Sequence, residues 1–389
     1  MLDRIPVLAL GFRPFYLAGA VFAVLAVPLW LFAFVRGVPV SEHLPGVAWH
    51  SHEMIFGFAA AVIAGFLLTA VRNWTGRPTP VAGSLAALVA LWLLARILLV
   101  TGPAIPAAIV DALFIPALAL AIARPIWRSR NARNYKIVAL LVALAMANIV
   151  YQLAALGRVP PELTTTAATV ALDLIVILFA IIGGRVIPAF IGNAIEEATP
   201  RHLALVEYLS FGSLLALLLL DIAAAWTPVS AGLWISILAA AALAHAVRLL
   251  LFQPLRARGN FLLLMLPLAY AWLPVTFAVR AFAVAGLVPS SAATHALTIG
   301  AIAALMMAMM TRSSLGHSGR ALAAGKAEVA AFLLLQMAAV VRLLGTSVAG
   351  KHYFELLVAS GTLWAVAFAV FLLRYAPILV RPRVDGRPG

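Results

Sequence analysis

Long apolar runs separated by short polar junctions are the feature that most restricts how this chain can fold. There are twelve of them, and each approaches or exceeds the roughly 20 residues that a helix needs to cross a bilayer. Their approximate limits are 15–35, 52–72, 81–100, 104–123, 137–156, 165–187, 203–226, 229–252, 261–284, 292–311, 327–345 and 356–376. Apolar runs of this length satisfy their backbone hydrogen bonds in lipid as helices. The sequence therefore predicts an all-α, polytopic transmembrane helical bundle.

The composition supports one membrane domain and no soluble one. The chain is 65% hydrophobic and 10% charged, whereas soluble domains are about half apolar and a quarter charged. We predict a single integral membrane domain over residues 1–389, with its helices within about 15–376 and a short basic cytoplasmic tail at 377–389. A comparison of the two halves gives no convincing six-plus-six repeat.

Basic residues are distributed unevenly between the two ends of the predicted helices. Of the 27 Lys and Arg residues, 21 fall on the side that holds both termini and only 6 on the other. Because cytoplasmic segments carry the excess of Lys and Arg, both termini are predicted to be cytoplasmic. The same bias explains the formal charge of +14, so nucleic acid is not an expected partner.

The absence of cysteine limits the metal chemistry of the chain. It excludes disulfides, iron–sulfur clusters, thiolate-ligated haem and covalent haem attachment through a C-x-x-C-H motif. Any haem must be held non-covalently through His or Met, and any copper must use His, Met or oxygen ligands.

The segment Trp49-His50-Ser51-His52-Glu53 stands at the start of the second apolar run. Ionisable groups are costly at membrane depth, and imidazole is the commonest metal ligand among side chains, so the cluster predicts a metal site, with haem favoured. Two arrangements remain open. In one, an extended H-x-H chelates a single ion. In the other, both residues are helical, their rings point about 200° apart, and each serves a different centre, with Glu53 beside His50 as a proton relay.

Further charged residues lie inside the apolar runs, where they are either structural ion pairs or ligands of haem propionates. The residues are Arg96, Arg280, Arg342, Asp111, Asp173 and Asp221. His43, in the first outer loop, is expected to be solvated.

The tenth run begins with His295 and contains a group of methionines that includes Met306 and Met309. Thioether sulfur suits Cu(I) and can bind haem, but methionine inside a helix is more often a packing residue. His295 is a predicted metal ligand.

The end of the tenth run carries Arg312, His317 and Arg320. These residues either reach toward the membrane surface or hold a second metal centre or the propionates of a haem. Arg185, which follows Gly184 near the end of the sixth run, is expected to neutralise an anion or to pair with Glu196 or Glu207.

Several segments together resemble the NnrS family of bacterial membrane proteins. They run from the first apolar run to the junction after the tenth, so the resemblance covers nearly the whole chain. The segments are Gly11-Phe12-Arg13-Pro14-Phe15, Trp49 to Gly57, Asn73-Trp74-Thr75-Gly76-Arg77-Pro78, Gly184-Arg185-Val186-Ile187-Pro188, and Met310-Thr311-Arg312 with Leu315-Gly316-His317-Ser318-Gly319-Arg320.

The resemblance implies a twelve-helix, multi-pass protein of the bacterial inner membrane that contains haem b and copper and acts in the response to nitric oxide. By the family pattern the positions to carry over are His50, His52, Glu53, His295, Arg312 and His317. Many relatives have a histidine before the aromatic segment of the ninth run. This chain has Pro267 there, so a metal centre that uses that histidine in relatives is expected to be altered or absent here.

The expected function is nitric oxide binding at haem and copper, with protection against nitrosative stress. Reduction to nitrous oxide, as in a nitric oxide reductase-type oxidoreductase, is left open. The expected catalytic residues are Glu53 and His50, and the expected cofactor-binding residues are His50, His52, His295, His317, Arg185, Arg312 and Arg320, of which the four histidines ligate metal.

Partners would be nitric oxide, membrane lipid and an unidentified electron donor. A homo-oligomer is compatible with the sequence. The alternative function is a polytopic membrane transporter with no redox cofactor. Membership of the haem–copper oxidase superfamily is disfavoured, because no two histidines are adjacent.

Overall fold

A computed structural model describes residues 5–348 and 350–387. Within those residues it contains twelve helices that are long and apolar enough to cross a membrane, and no strand. The polytopic all-α prediction is therefore confirmed. The helices are α1 Phe12–Arg36, α2 Val47–Thr75, α3 Ala82–Thr101, α4 Ala104–Arg128, α5 Ala132–Ala155, α6 Leu163–Ala194, α7 Ala204–Ala223, α8 Ala231–Leu251, α9 Phe261–Val284, α10 Ser290–His317, α11 Lys326–Ser347 and α12 Gly350–Val380.

Several helices are longer than their apolar runs. Helix α12 continues to Val380, so residues 377–380 belong to a helix and not to the predicted tail. Helix α6 passes through Pro188 and ends at Ala194. A helix supplies its own backbone partners, so it can continue past the hydrophobic layer into polar surroundings. Of the predicted terminal segments, residues 1–4, with Arg4, and residues 388 and 389 lie outside the described residues.

The chain divides into two compact units. The first consists of Met1–Leu172, Met310–Ala321 and Phe368–Gly389, and the second of Asp173–Met309 and Leu322–Ala367. Helices α6, α10 and α12 each contribute one segment to each unit. In the first unit, α2 packs against α1 and α4. Its apolar stretch is 83% buried, so a polar side chain on α2 must find its partners inside the protein.

Helices α2 and α10 share an irregularity. Each starts as an α-helix that ends at a histidine, His52 or His295, and each then continues as a π-helix, over Glu53–Ala59 in α2 and Ala296–Ala303 in α10. A π-helical turn has i→i+5 hydrogen bonds and turns the following side chains away from their α-helical directions. Such turns are frequent at functional sites. The two interruptions therefore mark the start of α2 and of α10 as candidate sites.

Helix α9 is also interrupted, at Ala271, between segments Phe261–Tyr270 and Trp272–Val284. Pro274 explains the break, because it has no N–H for the carbonyl group of Tyr270 one turn earlier.

Candidate functional site

His52 is completely buried in the first unit, and polar side chains contact both of its ring nitrogens. Nδ1 lies 3.1 Å from Oε1 of Glu53, and Nε2 lies 3.0 Å from Oδ2 of Asp111. Ionised carboxylates only accept hydrogen bonds, so two such partners fit a doubly protonated imidazolium ring. Asp111 comes from α4, which places the contact between two helices.

Arg96 from α3 completes the charged part of this network. Its two terminal nitrogens donate to different carboxylates, Nη1 to Oε1 of Glu53 at 2.6 Å and Nη2 to Oδ1 of Asp111. The side chain is only 4% exposed. Two carboxylates, one guanidinium and one imidazolium have no net charge. Burying these charges is therefore tolerable, because each has a hydrogen-bonded partner of opposite sign.

Two amides of α5 surround the same carboxylate. Asn148 and Gln152, one helical turn apart, donate to Oδ2 of Asp111 at 2.9 and 2.8 Å. Oδ1 of Asn148 also lies 3.1 Å from Nε2 of His52. The buried cluster of His52, Glu53, Arg96, Asp111, Asn148 and Gln152 is called the polar network below.

The polar network extends to the first loop through a residue that we expected to be solvated. Nε2 of His43 contacts Oε1 of Gln152 at 2.8 Å, so the prediction for His43 was wrong. Within this loop, the backbone amide of Leu44 donates to the hydroxyl oxygen of Ser41 at 3.2 Å. The hydroxyl of Tyr151 donates to the carbonyl of Ala48 at 2.8 Å, at the start of α2.

The ring of His50 has a neighbour different from those of His52, although only one residue separates the two histidines. The His50 ring stacks on Trp30 of α1, with centroids 4.1 Å apart and an interplanar angle of 21°. Both histidines belong to the helical segment Val47–His52. Of the two arrangements left open, the structure therefore has the helical one, with rings pointing in different directions, and not the extended H-x-H. Glu53 contacts His52 and Arg96.

His295, in the second unit, has a different environment. Its Nδ1 lies 2.7 Å from the backbone carbonyl oxygen of Ser291, one turn earlier in α10. A carbonyl oxygen only accepts, so Nδ1 carries a proton, and in the neutral ring Nε2 then keeps its lone pair. The ring of a metal-ligating histidine is usually oriented by a hydrogen bond of this kind. Arg342 of α11 lies within electrostatic range of the same ring.

A glycine of the second π-helical segment allows an aromatic ring to approach the backbone. A Cβ atom on Gly300 would lie 2.3 Å from Cδ2 of Trp272. The ring of Trp272 is held in place, because its Nε1 donates to Oε1 of Gln336 at 2.7 Å. Contact with Trp272 therefore explains the glycine in this segment.

Substituting Gly300 by alanine is expected to destabilise the protein by about 1–3 kcal/mol, because Trp272 cannot move without losing its hydrogen bond. Thermal unfolding in detergent measures the effect. The matched control is Gly212→Ala in α7, where a Cβ meets nothing within 4 Å. In a Gly300→Ala/Trp272→Leu double variant, the smaller leucine should remove the clash, so the alanine should cause no further loss of stability beyond that of Trp272→Leu. An alanine that costs as much in the double variant would contradict this packing.

The predicted residues at the end of α10 belong to the first unit. The ring of His317 lies 5.7 Å from that of Phe12, and its backbone oxygen accepts a hydrogen bond from Arg383 at 2.9 Å. Arg312 is half-buried one and a half turns earlier, and Arg320 follows the helix end. Arg185, half-buried in α6, belongs to the second unit. The first unit thus contains His50, His52, Glu53, Arg312, His317 and Arg320, and the second contains Arg185 and His295.

Arg280, inside the second unit, forms the kind of structural ion pair that was one of its two predicted roles. Its Nη2 bonds both carboxylate oxygens of Asp221 at 2.6 and 2.7 Å, and Asp173 lies 4.0 Å from Nη1. Arg342 contacts the phenol group of Tyr353 at 3.4 Å.

A cluster that we did not predict surrounds Arg248 of α8. Arg248 is 2% exposed and donates to both oxygens of Glu207, at 2.9 and 2.7 Å, and to the hydroxyl of Tyr270 at 2.9 Å. Tyr270 in turn contacts Nδ1 of His245 at 2.8 Å. Glu207, one of the two glutamates suggested as a partner of Arg185, accepts these two hydrogen bonds from Arg248. The guanidinium group lies over Gly184, where a Cβ atom would come within 2.1 Å of Nη2 of Arg248. The glycine that begins the Gly-Arg-Val-Ile-Pro segment therefore leaves space for Arg248.

The model of the family described as NnrS protein matches residues 6–383, nearly the whole chain. The chain belongs to the NnrS family. No curated protein matches it. In this NnrS protein, the W-H-x-H-E segment supplies His52 and Glu53 to the polar network, and the L-G-H-x-G-R segment begins in the last turn of α10 and ends beyond the helix at Arg320.

The metal-ligand assignments for this NnrS protein remain predictions. Among the residues that the structure describes, no three His, Asp or Glu side chains are grouped as a metal site. Met306 is 2% exposed and Met310 is fully buried, as packing residues would be.

Proposed function

We propose that this NnrS protein is a haem- and copper-containing membrane protein that binds nitric oxide and protects the cell against nitrosative stress. The observation that supports the proposal best is the environment of His295. The hydrogen bond from its Nδ1 to the oxygen of Ser291, 2.7 Å away, leaves Nε2 for a metal. Nitric oxide is small and enters the lipid phase, so a site within the membrane needs no polar channel for it.

The residues of the chain suit the predicted cofactors to different degrees. His295 fits haem b best, because its free nitrogen is oriented by the backbone. His317 is a second candidate, with Arg312 nearby in the chain for a propionate. We assign His50 to copper, since its ring direction is fixed by Trp30. When bound, haem iron would supply the open position that captures a diatomic gas.

His52 fits a metal less well than His295 does. Both of its ring nitrogens have side-chain partners at 3.0–3.1 Å, so Asp111 and Asn148 would have to move before Nε2 could bind a metal. We assign His52 to proton storage with Glu53. Oε2 of Glu53 is buried and has no hydrogen-bond partner among the described residues. A proton delivered to Glu53 would be held at Oε2. Reduction of nitric oxide to nitrous oxide consumes protons, and Glu53 would supply one.

The proposal predicts a coloured protein. Purified in detergent, the native chain should have a Soret absorption band that shifts on reduction by dithionite and again on exposure to nitric oxide, and metal analysis should find iron and copper. Substituting His295 by alanine should remove most of the haem absorption, and His50→Ala should lower copper and leave iron in place. The matched control is His352→Ala, at an exposed histidine that pairs with Glu355 in its own helix turn.

Two outcomes would contradict the proposal. A native preparation without colour and without metal would favour the alternative function, a transporter with no redox cofactor. Full haem content in His295→Ala would remove His295 as the ligand. Consumption of nitric oxide with an artificial electron donor then separates binding alone from turnover. The proposal also includes a natural electron donor and a place in the bacterial inner membrane.

A further inference from the structure

Several basic residues lie in three segments of the first unit. The segments are the start of α1, the end of α10 and the segment that follows α12. Arg13 is fully buried here, and its Nη1 donates to the backbone oxygens of Ile378, Leu379 and Arg381 at 3.4, 3.0 and 2.6 Å. The last carbonyls of a helix have no partners within the helix and carry partial negative charge. Arg13 is therefore a cap for α12.

Arg383 has partners of its own in this region. Its guanidinium group bonds both oxygens of Asp385, at 2.8 and 2.5 Å, and the backbone oxygen of His317 at 2.9 Å. The hydrogen bond from Arg383 keeps the pKa of Asp385 well below its usual range, so the pair stays ionised at neutral pH. Asp385 fits against Gly319, where a Cβ would lie 2.8 Å from its Cγ. Asp385 is thus committed to Arg383.

Arg320 differs from both of these arginines. Its Nη1 is buried and has no hydrogen-bond partner among the described residues, where Arg320 also forms no ion pair. Arg320 and Arg383 both lie within electrostatic range of Arg13. Arg13 and Arg320 thus lie in a positively charged region in which the carboxylate of Asp385 pairs with Arg383. An arginine that only reaches toward water would expose its charged end, whereas a buried donor without an acceptor is costly.

We propose that Arg320 binds a phosphate group, in a region that Arg13 makes more positive. The planar guanidinium fork matches phosphate oxygens in a two-point contact, and the excess positive charge suits an anion that carries more than one negative charge. Arg320 comes three residues after His317, the last residue of α10. Its place just beyond the apolar span corresponds to the headgroup layer of a bilayer. The phosphate can belong to a phospholipid headgroup or be free in solution.

The test compares three probes on the full-length protein in detergent: short-chain phosphatidic acid, short-chain diacylglycerol and inorganic phosphate. Native mass spectrometry measures how much of each probe is bound. Phosphatidic acid should bind, and Arg320→Gln should weaken that binding at least tenfold. The matched control is Arg77→Gln, an exposed arginine just after the end of α2, which should change binding less than twofold. Arg320→Lys keeps the charge but not the fork, and should fall between the two.

The remaining probes identify the source of the phosphate. Binding of phosphatidic acid without measurable binding of inorganic phosphate supports a lipid headgroup, and binding of inorganic phosphate that depends on Arg320 supports free phosphate. Equal binding of diacylglycerol and phosphatidic acid would overturn the proposal, as would equal losses in Arg320→Gln and Arg77→Gln.

Thermal unfolding gives a readout that a purely structural role would not produce. Without anion, Arg320→Gln should unfold at the same temperature as the native protein or at a higher one, because it removes repulsion with Arg13. Added phosphatidic acid should then raise the unfolding temperature of the native protein and not that of Arg320→Gln. An Arg320→Gln protein that unfolds earlier without lipid and is stabilised by lipid as much as the native protein would overturn the proposal.

Discussion

Substituting Arg96 by leucine is expected to destabilise the protein by about 3–5 kcal/mol, the usual effect of removing one partner from a buried ion pair. Arg96 is the only guanidinium group in the polar network, and it bonds both Glu53 and Asp111. Without it, two carboxylates would remain buried with only the ring of His52 to balance them. Thermal unfolding in detergent and the yield of monodisperse protein measure the loss.

A combined variant separates charge balance from packing. Arg96→Leu/Glu53→Gln removes one charge of each sign and leaves Asp111 with His52, so it should recover a large part of the lost stability. The control is Arg158→Leu, at an exposed arginine after α5, which should change stability by less than about 0.5 kcal/mol. If Arg96→Leu unfolds like the native protein, the charge balance assigned to the polar network is wrong.

The twelve helices were predictable because each is a local property of the sequence. An apolar run of sufficient length satisfies its own backbone, whatever the rest of the chain does. The ends of the helices were harder to predict, as at Val380 in α12, because a helix can continue into polar surroundings. Charged residues inside apolar runs also gave a usable signal. A buried charge needs a partner, and for Arg96 and Arg280 the partners were among the predicted aspartates.

The polar network itself could not be assembled from the sequence. His52 and Asp111 are 59 residues apart, and hydropathy does not say which faces of α2 and α4 meet. Two members, Asn148 and Gln152, left a signal that we did not use. They are amides one turn apart in an otherwise apolar run, and buried amides need hydrogen-bond partners. For His43 the sequence carried no such signal, because a loop histidine is usually solvated.

The π-helical segments had no recognisable signature, since a shift from i→i+4 to i→i+5 bonding leaves hydropathy unchanged. The structure nevertheless draws attention to a short correspondence between them. Gly57 follows His52 by five residues, and Gly300 follows His295 by five. Each glycine lies against a large side chain of its own unit, Arg96 for Gly57 and Trp272 for Gly300. A six-plus-six repeat would pair α2 with α8 and not with α10, so a comparison of the two halves does not bring these two segments together.

Substituting Arg248 by leucine is the second change expected to have a large effect, about 3 kcal/mol. It would leave Glu207 and the hydroxyl of Tyr270 without their shared donor, and the backbone oxygen of Ala180 without a bond of 3.0 Å. The cost falls at the lower end of the range for buried ion pairs, because Glu207 is 27% exposed and water can reach it. Thermal unfolding in detergent provides the measurement.

The matched control for this substitution is Arg256→Leu. Arg256 also pairs with a glutamate, Glu197, but at 3.7 Å and with both side chains more than half exposed, so its loss should cost less than about 1 kcal/mol. Gly184→Ala should reproduce part of the Arg248→Leu effect, because the added Cβ occupies the position of the guanidinium group. Combining Gly184→Ala with Arg248→Leu should then add little further loss, since the leucine removes the atoms that the alanine displaces. Fully additive losses would mean that Gly184 is required for a reason other than the approach of Arg248.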